Sequence, residues 1–256
     1  MPLDLRPRPE VLADQPALAW HIRDWQSQAF DLDEHRYAAG EDVWLDIDAD
    51  APVTLTAAQA EELNRQTEAE FAELLDPDPG LPPFERARFL VGELDAASME
   101  AFTSAIGDAV LRLCAAMGWE RLSVLPMVRA SIIVQDNDFA DADAATRTLA
   151  DTGLTKDFSG AISGPAKDVA PLFGPLFWIA RCNACAPYIC FGAPGSATVG
   201  TLCQYANIHF DVYDTAEADA LADALVASGF DVPDDGICGE RFSETGAIEG
   251  RRLDLG

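Results

Sequence analysis

Lysine is almost missing from this chain. Of its 17 basic residues only Lys156 and Lys167 are lysines, and the formal net charge is −27. A field of that sign repels nucleic-acid phosphates and anionic membrane surfaces, so a direct nucleic-acid reader is not expected. Long hydrophobic runs are missing too, since no apolar stretch approaches the roughly 20 residues needed to cross a bilayer. The opening MPLDLRPRPEVLAD has no hydrophobic signal core, which leads us to expect a cytoplasmic chain without membrane attachment. In that setting the six cysteines read as reduced thiols or metal ligands and not as a disulfide framework.

Several local motifs are also incomplete. The glycine-rich GAPGSATVG (192–200) lacks the lysine that a phosphate loop places after its last glycine, so it reads as a loop between strands. Asp46, Asp48 and Asp50 alternate like the start of a calcium loop. Ala51, however, stands where the sharp turn needs glycine, and Ala57 where a bidentate glutamate belongs. Asp136-Asn137-Asp138 fails in the same way, with Arg147 at the twelfth position.

What is present is a globular composition: 49% of the residues are hydrophobic, enough for a real core in 256 residues. Residues 1–15 are proline-rich and expected to be irregular, and Pro16–Phe30 has helical character, with His21 and Asp24 on one face. A short strand is expected around Val43–Ile47. Thr56 and Gln59 form a capping box that opens a helix running to about Leu75. DPDPGLPP (76–83) breaks the pattern, and a soft boundary there separates a mainly helical N-terminal region (1–80) from an α+β domain (81–256).

The second part is more regular. RFLVGEL (88–94) reads as a strand, Asp95 as a cap, and Met99, Phe102, Ile106, Val110, Leu113 and Met117 as the buried stripe of a helix ended by Gly118. Cys114 lies beside that stripe as a core thiol. RLSVLPM and ASIIVQ (130–135) read as strands, Ala140–Ala150 as a helix, and 156–175 as a long loop or a very short helix. NIHFDVY (207–213) alternates cleanly, Asp214 and Glu217 form an acidic capping box, and Gly229 ends the helix before a further extended piece. The repeated strand–helix–strand pattern predicts a ferredoxin-like α+β arrangement, with helices on one face of a mostly antiparallel sheet. Residues 206–233 resemble the strand–helix–strand unit of acidic ribonuclease-regulator proteins of the B type, a unit shared with many ferredoxin-like domains. That likeness carries no site residues with it.

Chemistry concentrates in 177–213. FWIAR and PYICF read as strands flanking Cys182-x-x-Cys185, followed by Cys190, Cys203 and His209. Four of those five side chains would suit one tetrahedral zinc, the cofactor this cluster would take, although the spacing matches no common zinc signature. The competing reading is that the cysteines are small core residues. On the strand 207–213, alternation places His209, Asp211 and Tyr213 opposite Ile208, Phe210 and Val212, as a histidine–carboxylate pair capable of acid–base work.

The acidity suggests a different class of function. Asp214, Glu217, Asp219, Asp223, Asp231, Asp234 and Asp235 are the expected contact residues of a non-enzymatic binding or regulatory protein that acts on a basic protein partner. The alternative is a zinc protein or small-molecule enzyme built around the Cys182–His209 cluster. The two differ in whether the carboxylates share a face or the thiols converge.

Overall fold

The computed structural model describes residues 3–45, 51–184 and 188–252. The chain opens with strand β1 (Asp4–Arg6) and helices α1 (Arg8–Asp14) and α2 (Pro16–Ala29). A two-stranded ribbon of β2 (Asp42–Val43) and β3 (Val53–Thr54) precedes helix α3 (Ala57–Leu74). Strand β4 (Arg88–Leu94), helix α4 (Met99–Met117), strand β5 (Arg121–Pro126) and helix α5 (Ala140–Ala150) follow. Next come β6 (Ala161–Pro165), the short α6 (Ala166–Val169) and α7 (Phe173–Cys182). The last stretch holds β7 (Ile189–Gly192), β8 (Thr198–Leu202), β9 (Asn207–Val212), α8 (Thr215–Ala227) and β10 (Phe230–Asp231).

Eight strands form one sheet in the order β1-β6-β5-β7-β8-β9-β4-β10, with every neighbouring pair antiparallel. The class is therefore α+β with a large antiparallel sheet. In the C-terminal half, β9 and β10 straddle β4 and are joined through α8, as a split strand–helix–strand unit requires. The other half is wider than a ferredoxin-like order, because β7, β8 and β9 all lie between β4 and β5.

Side-chain alternation decides what each face meets. Ile208, Phe210 and Val212 of β9 join Leu122 and Val124 of β5 in a large core covered by α4, α5, α7 and α8. Phe102, Phe173, Phe177, Phe191 and Phe210 fill it, with edge-to-face contacts at 4.9 Å (Phe102–Phe177) and 5.0 Å (Phe173–Phe191). Such pairs contribute about 0.5–1.5 kcal/mol beyond their buried area. Gly174 lets α7 approach α4 closely, since a Cβ there would lie 2.5 Å from the Thr103 carbonyl oxygen.

The expectation that helices occupy one face is corrected here. On the opposite face Val11 of α1 and Leu18 and Ile22 of α2 pack against Leu125, Met127, Cys190 and Val199. The supposedly irregular first residues supply β1, which pairs with β6, and α1, whose first turn tolerates Pro9. A buried polar network fastens this layer. Arg8 donates to both Asp76 oxygens and to the Val128 carbonyl, while the Gln26 amide donates to Asp76 and to the Met127 carbonyl.

Four local expectations also give way. FWIAR lies inside α7, a helix apolar on most sides because it is buried on most sides. ASIIVQ is a turn in which Ser131 accepts from the Ile133 N–H and donates to the Thr155 carbonyl, leaving Ile132 and Ile133 as consecutive buried plugs. The glycine- and proline-rich 156–175 contains β6, α6 and the start of α7. Ser98, not Asp95, caps α4 by accepting from the Ala101 N–H, and Gly118 ends it at φ 70°. The Thr56–Gln59 capping box is formed. Residues 46–50, with Asp46, Asp48 and Asp50, lie outside the described residues. Among those described, no helix is long and apolar enough to cross a membrane.

Candidate functional site

Helix α2 buries Leu18, Ile22 and Gln26, four residues apart, against the sheet. That fixes the neighbouring stripe, Trp20, His21, Asp24, Trp25 and Gln28, along the rim of a cavity of about 390 Å³. The far wall comes from Asp211 of β9 and from Tyr213 just after it, and the remaining wall from Phe84 and Arg86 ahead of β4. Trp20 stacks on Phe84 at 6.4 Å, and Phe84 meets Tyr213 edge-on at 5.9 Å.

His21 is the hub. Its Nδ1 lies 2.9 Å from the Tyr213 hydroxyl and 3.8 Å from an Asp211 oxygen, and its Nε2 lies 3.4 Å from the Thr201 hydroxyl. Arg86 donates to the other Asp211 oxygen at 2.7 Å. Burial lowers the His21 pKa below its ordinary value. The carboxylates of Asp211 and Asp24 pull it back up, and Arg86 pushes it further down. The net result is a neutral imidazole near pH 7, with one ring nitrogen donating and the other accepting. Burial, then Asp211 and then Asp24 push the Tyr213 pKa upward, so its hydroxyl keeps its proton. The upward pull of Asp211 and Asp24 on both groups reports their negative charge in the cavity, where two carboxylates meet one guanidinium, while burial sets the net fall at His21.

The outer face of β9 continues past this cavity. His209 pairs in register with Thr201 of β8 and Val91 of β4, and its ring meets Phe89 edge-on at 5.6 Å. It belongs to a second cluster, in which ligand atoms of Cys203, His209 and Cys238 all lie within 4.8 Å of one another. The two sulfurs are 3.7 Å apart. Burial pushes the Cys203 thiol up to about 12, against a Tyr205 N–H that donates to its sulfur. Burial lowers the His209 pKa, partly offset by Asp211.

The sequence-derived candidates are thus redistributed. Of the catalytic trio, Asp211 and Tyr213 line the cavity with His21 and Asp24, while His209 turns to the sulfurs. Of the metal set, Cys203 and His209 come together and are joined by Cys238. Cys182 ends α7 with its thiol directed to the Glu249 carbonyl, and Cys190 packs under α1 and α2 with its thiol on the Leu125 carbonyl. Burial raises both of these thiols, to about 11 and about 12 respectively. Cys185 lies outside the described residues. Of the acidic set, Glu217 is turned inward, accepting from the Ser196 and Thr198 hydroxyls and the Ala197 N–H. Asp214 caps α8, Asp235 accepts from the Ile237 N–H, and Asp219 lies 3.6 Å from Arg88. Asp223, Asp231 and Asp234 are exposed.

Trp20, Trp25, Phe84, Arg86 and Cys238 were not singled out by sequence. The 20/21/24/25/28 spacing on a helix was the available signal for the first two, and nothing local marked the others. Comparison with family models, curated proteins and solved structures finds no match to this chain, so the site speaks through its own chemistry.

Proposed function

We propose that the protein is a non-catalytic binding or regulatory protein whose α2–β9 cavity takes a lysine or arginine side chain of a basic protein partner. One observation carries this reading: four aromatic rings and two carboxylates line a cavity that supplies a single guanidinium. Aromatic faces attract cations, by about 2 kcal/mol or more when the contact is desolvated. The surrounding field has the same preference, since the chain carries −27 formal charges and Asp214 directly follows the cavity residue Tyr213. His21 and Tyr213, held neutral and bonded to each other, serve as a rigid polar wall in this reading.

The test is calorimetric titration with a lysine-rich peptide and a glutamate-rich peptide at two salt concentrations. The basic peptide is expected to bind, more weakly at high salt, and Trp20→Ala is expected to lose roughly 30-fold in affinity, the equivalent of ~2 kcal/mol. Equal binding of both peptides, or unchanged affinity in both Trp20→Ala and Asp24→Asn, sinks the proposal. A metal-binding role draws its support from elsewhere, from Cys203, His209 and Cys238, and does not depend on this cavity.

A further inference from the structure

We propose that Cys203, His209 and Cys238 form a binding site for one divalent metal ion of the zinc class, with a coordination position left open. The first argument is geometric. Zinc–sulfur bonds of about 2.3 Å at a tetrahedral angle separate two sulfurs by about 3.8 Å. The Cys203 and Cys238 sulfurs stand at 3.7 Å, and the third donor lies within 4.8 Å of both.

The second argument is an unmet need. The His209 Nε2 is buried without a hydrogen-bond partner, and so are both amide atoms of Asn207, two residues away on the same strand face. Buried polar atoms are nearly always paired, and exceptions call for a missing ion or water. A disulfide between Cys203 and Cys238 would leave His209 unexplained; a metal ion engages all three side chains. Two thiolates and an imidazole are soft-to-borderline donors, a set that selects zinc over magnesium or calcium. With three protein ligands, a tetrahedral ion keeps one position for water or an outside ligand.

The third argument is scaffolding. Cys203 opens the β8–β9 turn, closed by its own N–H donating to the Asn207 carbonyl at 2.9 Å. Arg181 donates to the Gln204 carbonyl and Arg241 to the Ala206 carbonyl, so two guanidinium groups hold the turn. Cys238 lies on the segment fixed by the bidentate Arg181–Glu240 pair. Parts of the chain more than 30 residues apart are therefore held at ligand distance by groups that are not ligands, as a preorganised site needs.

The experiment uses the full chain, purified reduced and without chelator. Its zinc content is measured, and the stripped protein is titrated with zinc(II) alone and then with cobalt(II) as the spectroscopic probe. One equivalent of zinc is expected, together with thiolate-to-cobalt charge transfer and the ligand-field bands of a tetrahedral site. Cys203→Ser, Cys238→Ser and His209→Gln should each weaken zinc binding more than about 100-fold, beyond the ~10–100-fold loss typical of an outer-shell partner. Cys114→Ala should leave it unchanged. Should a variant unfold, alkylation mapping of the native wild-type protein still decides, because zinc must shield Cys203 and Cys238. Absence of zinc and of a cobalt–thiolate band overturns the proposal. So does protection of other thiols, or a Cys203–Cys238 disulfide whose reduction yields no metal binding.

Discussion

Replacing Asp76 with alanine tests the packing of α1 and α2 on the sheet. Asp76 accepts three hydrogen bonds from the Arg8 guanidinium and one from Gln26, and its N–H donates to the Gln26 side chain. Arg8 and Asp76 side chains are only 4% and 8% exposed, so the substitution strands a guanidinium where water does not reach. Removing one partner of such a pair costs about 3–5 kcal/mol. For a chain of this size ~1 kcal/mol moves the melting temperature by roughly 2–4 °C, so a drop of about 6–20 °C is expected. Arg8→Met should cost a similar amount, since it leaves the carboxylate buried. The double variant Arg8→Met/Asp76→Leu should fall short of the sum by roughly 2–3 kcal/mol, because each single change already strands the other charge. Urea unfolding followed by far-UV circular dichroism, with tryptophan fluorescence reporting on Trp20 and Trp25, measures all three. A cost below about 1 kcal/mol for Asp76→Ala, or strict additivity, would refute the reasoning.

Other outcomes follow from particular contacts. Gly174→Ala places a methyl 2.5 Å from the Thr103 carbonyl oxygen, so α4 and α7 must separate; a loss of about 1–3 kcal/mol is expected in thermal unfolding. Ser98→Ala should cost ~1 kcal/mol by removing the α4 cap, while Asp95→Ala costs less, and a reversed order in the same assay would restore Asp95 as the cap. His21 contributes through pH. Its folded-state pKa lies below the ordinary 6.5, so the folded protein binds fewer protons than the unfolded chain between the two values. The stabilisation is complete above pH 6.5 and is lost as pH falls through the folded-state value. His21→Gln should flatten that part of the pH–stability curve, measured by urea midpoints between pH ~5 and ~8.

Legibility in the sequence followed periodicity. Helix α4 and strand β9 show a single apolar face each, so Met99–Leu113 and Ile208–Val212 could be read directly. Helix α7 and strand β6 could not. FWIA is apolar on most sides because its surroundings are, and a short apolar run does not distinguish a buried helix from a strand. In AISGP the glycine and proline suggested a loop, yet the segment is enclosed between β1 and β5 and Pro165 serves as the N-cap of α6. The site was half visible. His21 with Asp24, and Asp211 with Tyr213, each stood out on their own elements. Their union spans 192 residues from His21 to Tyr213 and depends on which sheet face α2 covers. Cys238 had no local partner to mark it, since its neighbours are set by the Arg181–Glu240 pair.

The position of β4 in the sheet has a consequence for how the chain is made. Both of its neighbours, β9 and β10, are encoded far downstream, and Leu90 pairs with Phe210. At synthesis rates of ~5–20 residues per second, the roughly 120 intervening residues take about 6–24 s to emerge. Through that interval an apolar strand with Leu90, Val91 and Leu94 waits with both backbone edges unpaired, a template for wrong pairing. The sheet can close around β4 only once Phe230 and Asp231 have emerged. Slowing translation after β4 should therefore lower the soluble yield, whereas slowing it before Arg88 should not.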